Sequence, residues 1–359
     1  MIPISVPKLY EEDKILAKQA IDDNFIGQGN NIERFETEFA KFCNRKYAVT
    51  CCNGTVALYL AIKSLNLPKG SEVILPSMTI ISCLTAVIEN GLKPIFCDID
   101  LNTWNVDFNS IKNKITANTS AIIIVNTYGL IVNPIEVQNL KNIYPGIRII
   151  EDASESHGAY YESIIAGSIG DVSTFSFYSN KIITMGEGGC IVTDNVEVYD
   201  NLLMLRNLNF TNRKKYIHSD IGFNFRLTNL QASIGLGQLN NVQHTIRERK
   251  RIASEYNSYL SKSDKIQLPD ESAGYSNVYW YYSILVKENY DTVLRLLSDN
   301  QIDYRHFFYP LHKQPFINSN ETLSNTEYVF DHGVILPTYT DLTNEQIHFI
   351  SNTILNCLK

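Results

Sequence analysis

An Asn-Gly-Thr sequence, Asn53-Gly54-Thr55, follows a short apolar run and precedes a stretch with helical periodicity. At such a strand-to-helix junction, a glycine followed by a hydroxyl residue leaves backbone N–H groups available to an anion, and the helix dipole favours a phosphate. Asn-Gly is also an ordinary turn, and Thr is an ordinary helix cap. Gly54 and Thr55 are therefore candidate phosphate ligands that need support from other residues.

A carboxylate and an amine stand at similar places later in the chain. Asp152 ends a run that contains two isoleucines, and a carboxylate at the end of a buried strand requires a cationic partner, such as a protonated pyridine nitrogen, unless it caps a helix. Lys181 lies between an aromatic segment and the glycine-rich turn Met185–Gly189. Partial burial there lowers the pKa of the amine and makes it nucleophilic toward an aldehyde, whereas a lysine that reaches out to solvent is the alternative.

These residues gain weight when they are taken together. Ser176 precedes Lys181 by five residues and offers a hydroxyl to the same phosphate as Thr55. Pyridoxal phosphate requires a phosphate clamp, an anion at its ring nitrogen and a lysine that holds its aldehyde. The combination of Thr55, Ser176, Asp152 and Lys181 therefore predicts a pyridoxal phosphate site.

Short apolar runs rich in β-branched residues would position these side chains. The runs are Tyr47–Cys51, Glu72–Leu75, Pro94–Cys97, Ala121–Val125, Arg148–Glu151, Val172–Phe177 and Cys190–Thr193. Stretches of helical periodicity lie between most of them, as in Thr55–Ser64, Thr79–Glu89 and Ile135–Ile143. This alternation predicts an α/β fold with a mainly parallel sheet covered by helices, in which ligands bind where strands end.

The pattern changes after about Arg226. Leu227–Leu260 reads as one or two long helices, Tyr279–Val286 as a half-exposed strand, Asp291–Asp299 as a helix and Ile302–Phe308 as a further strand. We expect a large α/β domain over residues 1–240, with the N-terminal segment included, and a smaller α+β domain over 241–359.

Charge and composition exclude several classes of function. The 31 Lys and Arg against 38 Asp and Glu give a net charge of −7 without a basic run, which argues against nucleic acid and anionic membranes as partners. The 7 cysteines form no CxxC pair and suit buried thiols in a reducing compartment. The first residues have no signal-peptide pattern, no apolar stretch could span a membrane, and the histidines show no metal-ligand spacing. We expect a cytoplasmic protein without a metal.

Segments along nearly the whole chain resemble the DegT/DnrJ/EryC1/StrS sugar aminotransferases, which are fold type I pyridoxal phosphate enzymes. The matching segments are IPISVPKL, FETEFAKF, NGTVAL, EVILPSMT, EDASESHGA, GDVSTFSFYSNKIITMGEGG, GFNFRLTNLQASIGLGQL and YRHFFYPLHKQPF. The resemblance implies a mainly parallel seven-stranded sheet flanked by helices, with a smaller C-terminal α+β domain. It also implies transamination, because the family's dehydratases carry His where this chain has Lys181.

The resemblance assigns a role to each matching residue. Lys181 would hold the cofactor covalently and then move a proton, and Asp152 would pair with the ring nitrogen. Glu155 would lie near the ring hydroxyl, and Asn224 would reach the phosphate from the partner subunit of a homodimer with shared active sites. The implied phosphate ligands are Gly54, Thr55 and Ser176.

Two departures from the family pattern concern the substrate. Ile80 stands where many relatives have an aromatic residue stacked on the pyridine ring, and Asn126 stands where close relatives have His. We expect Asn126, Arg226 and His312 to bind substrate, with an intersubunit ion pair as the alternative for Arg226. His306 is expected to be structural.

The resemblance predicts transfer of an amino group from L-glutamate to the keto group of a nucleotide-linked 4-keto-6-deoxyhexose, for surface polysaccharide synthesis. A first alternative keeps the chemistry but acts on a small phosphorylated ketone such as dihydroxyacetone phosphate, giving serinol phosphate. A second alternative is a non-catalytic sensor that binds pyridoxal phosphate.

Overall fold

Parallel strands that alternate with helices build the larger part of the molecule. A computed structural model describes residues 1–210, 216–317 and 319–358. The strands are β1 (Tyr47–Cys51), β2 (Glu72–Pro76), β3 (Lys93–Cys97), β4 (Thr119–Val125), β5 (Arg148–Asp152), β6 (Tyr160–Tyr161), β7 (Ile164–Ile165), β8 (Val172–Ser176), β9 (Gly189–Thr193), β10 (Ile266–Gln267), β11 (Tyr275–Ser276), β12 (Tyr282–Val286), β13 (Arg305–His306) and β14 (Gly333–Leu336).

Helices cover both faces of the central sheet and fill the C-terminal part. They are α1 (Glu11–Asp22), α2 (Asn30–Phe42), α3 (Gly54–Ser64), α4 (Ile81–Glu89), α5 (Phe108–Lys114), α6 (Pro134–Ile143), α7 (Val196–Arg206), α8 (Asn229–Leu260), α9 (Tyr290–Asp299), α10 (Ser324–His332) and α11 (Asn344–Asn356). Single 3₁₀ turns lie at Thr127–Gly129 and Leu311–Lys313. Within the described ranges, no helix is long and apolar enough to cross a membrane.

The central sheet has the strand order β1-β9-β8-β5-β4-β2-β3. β9 runs antiparallel to both of its neighbours, and the other pairings are parallel. The predicted mainly parallel seven-stranded sheet is confirmed, and each predicted run forms one of its strands with both ends at most two residues from those expected. Because Asp152 pairs with Val125 on one side and Thr174 on the other, the carboxyl ends of β4, β5 and β8 lie at one edge.

Two predicted strands of the C-terminal part differ from the structure. Tyr282–Val286 is buried throughout rather than half-exposed, because Tyr282 and Ile284 pack with α8 while Leu285 packs on a second apolar cluster. The expected strand Ile302–Phe308 is reduced to β13, because the N–H of Phe308 donates to the hydroxyl of Tyr128 (3.3 Å) instead of joining a ladder.

One continuous helix joins the two predicted domains. α8 contributes Leu236 to the cluster beneath the central sheet and Tyr256 to the C-terminal cluster, so the expected boundary at 240/241 falls inside a helix. The N-terminal segment reaches the C-terminal part as well, since Ile2 bridges to Ile302 and the carbonyl of Ile4 accepts from the N–H of Thr338 (3.0 Å). The division into two domains stays a prediction.

The cysteines behave as small apolar residues. Five of them are buried and Cys52 and Cys357 are half-buried, and all seven are free thiols. Their side chains are among those that pack the sheet, for example Cys83 beside β5 and Cys190 on β9.

Candidate active site

The carboxyl edge of the central sheet opens onto a cavity of about 400 Å³. Loops after β1, β5 and β8 supply most of its polar lining, as expected for parallel strands that end together. The residues predicted from sequence that line it are Gly54, Thr55, Ile80, Asp152, Glu155, Ser176 and Lys181.

One end of the cavity is formed by the first turn of α3. Asn53 caps this helix, since its Oδ1 accepts from the N–H of Val56 (2.9 Å). The hydroxyls of Thr55 and Ser82 lie 2.7 Å apart. A Cβ added to Gly54 would lie 2.7 Å from Cβ of Ser176, so only glycine lets these two segments approach. A helix N-terminus surrounded by hydroxyls attracts a phosphate.

Asp152 is 2% exposed at the end of β5. One carboxylate oxygen, Oδ1, accepts from the N–H of Ser154 (3.0 Å), and the other, Oδ2, accepts from the thiol of Cys83 (3.4 Å). A thiol is a weak donor, so this oxygen keeps acceptor capacity for a cationic group. The carboxylate is thus oriented but, among the residues that the structure describes, not neutralised by an ion pair.

Lys181 is 10% exposed, and its Nζ lies 3.9 Å from Oε1 of Glu155. Burial lowers the pKa of Lys181, while Glu155 and Asp152 oppose that shift. Burial also raises the pKa of Glu155, opposed by the charge of Lys181. Oε2 of Glu155 accepts from the N–H of Tyr128 (2.8 Å), which fixes the carboxyl group beside the amine. Burial therefore favours the neutral, nucleophilic form of this amine more than it would be favoured in a lysine exposed to solvent.

This arrangement fits pyridoxal phosphate. The hydroxyls near the α3 N-terminus suit its phosphate, Asp152 suits a protonated ring nitrogen, and Lys181 provides the amine for its aldehyde. A cavity of about 400 Å³ lies within the usual range for small-molecule sites.

The model of the DegT/DnrJ/EryC1/StrS aminotransferase family matches residues 7–355. The chain belongs to this family. The GDP-perosamine synthase of Escherichia coli O157:H7 is 35% identical over 359 residues, covering 98% of this chain and 97% of that protein. The GDP-perosamine synthase of Vibrio cholerae is 35% identical over 366 residues, covering 99% of both chains. The crystal structure of S. venezuelae DesV is 28% identical with a TM-score of 0.91, covering 97% of this chain and 94% of that one.

The chain is therefore a pyridoxal-phosphate-dependent aminotransferase with the fold expected from its sequence. The contact of each individual residue with the cofactor stays a prediction. Ile80 is one of the residues predicted to make such a contact. It caps α4 and is 41% exposed at the cavity, where it offers an apolar surface but no aromatic ring.

Two residues of this aminotransferase were predicted to bind substrate but lie inside the protein. Asn126 is fully buried, because its Nδ2 donates to Glu151 (2.8 Å) and Ser156 (3.0 Å) and its Oδ1 accepts from the N–H of Val132 (2.8 Å). These bonds use its amide as a brace behind the cavity. A contact between Asn126 and substrate stays a prediction.

His312 is likewise wholly buried, and its contact with substrate also stays a prediction. Its Nδ1 shares a hydrogen bond with Ser77 Oγ (2.6 Å), and its Nε2 lies 3.1 Å from Oε1 of Glu327. Burial lowers the pKa of this imidazole, against the effect of Glu327. His312 thus ties the segment after β13 to the loop after β2.

Three further residues lie outside the cavity of their own chain. Asn224 is exposed and accepts from Nε of Arg226 (2.9 Å), whose guanidinium also donates to Asn207 (3.2 Å). His306 is exposed on β13 and hydrogen-bonds through Nδ1 to the hydroxyl of Tyr290 (2.9 Å), which suits the structural role expected for it.

Sequence reasoning missed several residues that line the cavity. Trp280 and Phe308 come from the C-terminal part, and Arg305 adds a positive charge beside them. Ser82 on α4 completes the hydroxyl group near Thr55. The aromatic run Tyr279–Tyr282, which contains Trp280, was read as the start of a strand. The signal that could have singled out Arg305 and Phe308 is their place in the family-like segment YRHFFYPLHKQPF.

Proposed function

We propose that this aminotransferase transfers an amino group from L-glutamate to the keto group of a nucleotide-linked 4-keto-6-deoxyhexose, yielding a 4-amino-4,6-dideoxyhexose for surface polysaccharide. The observation that carries the proposal is Lys181, a buried amine at a cavity of about 400 Å³, in a chain matched end to end by GDP-perosamine synthases. Those relatives favour a GDP-linked acceptor with the keto group at C4.

The chain's own residues have distinct tasks in this reaction. When bound, pyridoxal phosphate withdraws electrons from the carbon that loses or gains a proton. Nζ of Lys181 accepts that proton and returns it, which requires the neutral amine favoured by its burial. Asp152 holds the ring nitrogen protonated through its carboxylate, and Thr55, Ser82 and Ser176 orient the phosphate. Glu155 holds the lysine amine beside the reacting carbon.

Arg305 is proposed as the cation that receives an anionic group of the substrates. It lies at the cavity wall beside Phe308 and is exposed, so its guanidinium is accessible to a carboxylate of L-glutamate or a phosphate of the sugar nucleotide. This role is proposed in addition to the one that sequence analysis gave to His312, whose side chain is buried.

A homodimer with shared active sites is part of the proposal. Asn224 is exposed and lies away from the cavity of its own chain, which leaves it available to a second copy. Exposed Phe25 and Ile26 lie beside the start of α8, because the carbonyl of Ile26 accepts from the N–H of Leu230 (3.1 Å). Ile221, 75% exposed, adds apolar surface in the segment that contains Asn224. Such surface favours a subunit contact.

The alternative substrate is a small phosphorylated ketone. It rests on the changed residues Ile80 and Asn126. Ile80 lines the cavity, while the amide of Asn126 is bonded to Glu151, Ser156 and Val132, so the support for this alternative at the cavity comes from Ile80. The sensor alternative retains the same cavity and uses Lys181 to hold the cofactor, but it assigns no task to proton transfer by that amine.

The decisive experiment uses the full-length protein loaded with pyridoxal phosphate. L-Glutamate is expected to convert its absorbance to that of pyridoxamine phosphate, and a GDP-linked 4-keto-6-deoxyhexose is expected to reverse the change and yield an amino sugar nucleotide by mass spectrometry. dTDP-linked 4-keto sugars and dihydroxyacetone phosphate are the comparison acceptors. Turnover of dihydroxyacetone phosphate alone would support the first alternative, and an unchanged spectrum with glutamate would refute the proposed donor.

A further inference from the structure

The indole ring of Trp280 covers the amine of Lys181. Nζ lies 3.6 Å from the ring centroid, well inside the range of a cation–π contact. Trp280 is 6% exposed and comes from a segment about a hundred residues further along the chain. Its ring therefore meets the lysine through tertiary packing and not through a local turn.

Hydrogen bonds fix the indole in this place. Its Nε1 donates to the carbonyl of Asn180 (2.9 Å), the residue directly before Lys181. The side chain of Asn180 in turn donates to the hydroxyl of Tyr281 (3.1 Å), the residue directly after Trp280. The backbone carbonyl of Trp280 also accepts from Nη1 of buried Arg249 (3.3 Å). Two hydrogen bonds thus connect the segment Asn180-Lys181 to the segment Trp280-Tyr281.

The turn Thr127–Gly129 contacts both Glu155 and Trp280, the two residues that lie next to the Lys181 amine. Tyr128 adopts a φ of 52° and donates its N–H to Glu155 (2.8 Å), the carboxyl group 3.9 Å from Lys181 Nζ. Gly129 has a φ of 105°, and a Cβ there would lie 2.8 Å from the backbone nitrogen of Trp280. Any larger residue at this position would push the tryptophan segment away.

We propose that Trp280 is a positioning residue that covers one side of the Lys181 amine, holds it beside the reacting carbon and keeps water from it. The indole face attracts the ammonium form, and its apolar surface also excludes solvent. The role concerns the lysine of the proposed transamination and is independent of which keto sugar is the acceptor.

Other charged groups also act on the lysine and are kept constant in the test. Glu155 and Asp152 favour the ammonium form, and burial disfavours it. His157 lies close enough for its pKa to be lowered by the charge of Lys181, and Arg305 lines the same cavity. Substitutions at Trp280 alone leave these four groups unchanged.

The first test measures the pKa of Lys181 by the pH dependence of its labelling with cyanate, quantified by peptide mass spectrometry. The full-length protein is loaded with pyridoxamine phosphate, so that Lys181 is a free amine. Trp280→Leu keeps apolar cover but removes the indole, and we expect the pKa of Lys181 to fall by about one unit. Trp280→Phe, which keeps an aromatic face, is the matched variant and is expected to move it by less than about half a unit.

Two outcomes would overturn the proposal: an unchanged lysine pKa in Trp280→Leu, or an equal fall in Trp280→Phe. A kinetic measurement adds to this, since a positioning role predicts a kcat for the glutamate half-reaction about tenfold lower in Trp280→Leu, with KM changed much less.

A second measurement needs no substitution at Trp280 and decides the matter if those variants fail to fold. The chain has only two tryptophans, Trp104 and Trp280. Tryptophan fluorescence of the full-length apoprotein therefore reports on Trp280 above a constant signal from Trp104. We expect a fluorescence step as Lys181 loses its proton, and we expect the step to vanish in Lys181→Met. A wild-type protein without the step contradicts the contact.

Discussion

Cavities of similar size lie at opposite edges of the central sheet, about 420 Å³ at the amino ends of β5 and β8 and about 400 Å³ at their carboxyl ends. Both are lined by charged side chains. At the amino-end cavity Arg45 pairs with Asp194 at 2.8 Å and Lys141 pairs with Asp171 at 3.1 Å. At the carboxyl-end cavity Lys181 and Glu155 are 3.9 Å apart.

The two edges differ in how their charged side chains are paired. Asp171 also accepts from the N–H of Ile149 (2.7 Å), and Arg45 also donates to the carbonyl of Gly167 (2.8 Å), so both groups are committed to the fold. Within the described part of the chain, Asp152 accepts from just one backbone N–H and one thiol, and burial lowers the pKa of Lys181. Buried ionisable groups that are not fully paired are typical of functional sites, so these features identify the carboxyl edge as the edge that carries the chemistry.

The largest expected effect is the loss of the amine at the carboxyl-end cavity. Lys181→Met should abolish the absorbance of covalently held pyridoxal phosphate and lower the rate of the glutamate half-reaction by at least about 10³-fold, because both the covalent link and the proton carrier are lost. Stopped-flow absorbance measures this. Lys93→Met is the control, since Lys93 is a 62% exposed lysine paired with Glu72 away from the cavity. Comparable losses in the two variants would remove the distinction between the edges.

The carboxylates of the two edges form the next pair. Asp152→Asn should retain the cofactor but lower kcat by about 10²-fold, because the ring nitrogen is no longer held protonated. Asp171→Asn should leave kcat within about twofold and lower the free energy of unfolding by about 1–3 kcal/mol, because it weakens a paired, hydrogen-bonded carboxylate. Steady-state kinetics and urea unfolding of both variants test this. Normal turnover in Asp152→Asn would reduce that residue to a cap.

The carboxyl-end loops could be predicted from sequence because each functional residue follows directly on a recognisable strand. Gly54, Asp152 and Ser176 stand at or just after the ends of β1, β5 and β8, and parallel topology brings such positions together. The strands themselves were located within two residues, since continuous apolar runs indicate strands buried on both faces.

The remaining part of the site depends on tertiary packing that no local pattern encodes. Trp280 and Arg305 reach the cavity from the C-terminal part, and their positions depend on how that part docks onto the turn at Gly129. The burial of Asn126 could not be predicted for a related reason. It follows β4 just as Asp152 ends β5, but its amide lies against Glu151 and Ser156, a direction that position along the strand did not reveal.

The position of Asn126 yields a smaller effect, on stability and not on selectivity. Asn126→Ala removes three hydrogen bonds and leaves Glu151 and the N–H of Val132 each without one partner. We expect the free energy of unfolding to fall by about 2 kcal/mol, with the ratio of kcat/KM values for GDP- and dTDP-linked acceptors unchanged. Urea unfolding and acceptor competition measure the two quantities. A change in the ratio of these kcat/KM values would indicate that Asn126 contributes to substrate binding.

A further expected effect concerns the pH dependence of stability near the carboxyl-end cavity. His157 is fully buried among Phe39, Phe175 and Phe177, and burial, helped by the charge of Lys181, lowers its pKa to about 3. Between that value and the ordinary pKa of about 6.5, the unfolded chain binds the proton and the folded protein does not. Its contribution therefore makes stability fall with decreasing pH through this window, by up to about 1.4 kcal/mol per pH unit.

His157→Phe should reduce this slope, because a phenyl ring suits the aromatic cluster and binds no proton in either state. Urea unfolding at several pH values between about 4 and 6.5 gives the slope for each protein. His348→Gln, a substitution of an exposed histidine on α11, is the matched control and should leave the slope as in the wild type. Equal slopes for the wild type and His157→Phe would mean that the imidazole gains its proton while the protein is folded. Burial would then lower the pKa of His157 much less than its aromatic surroundings imply.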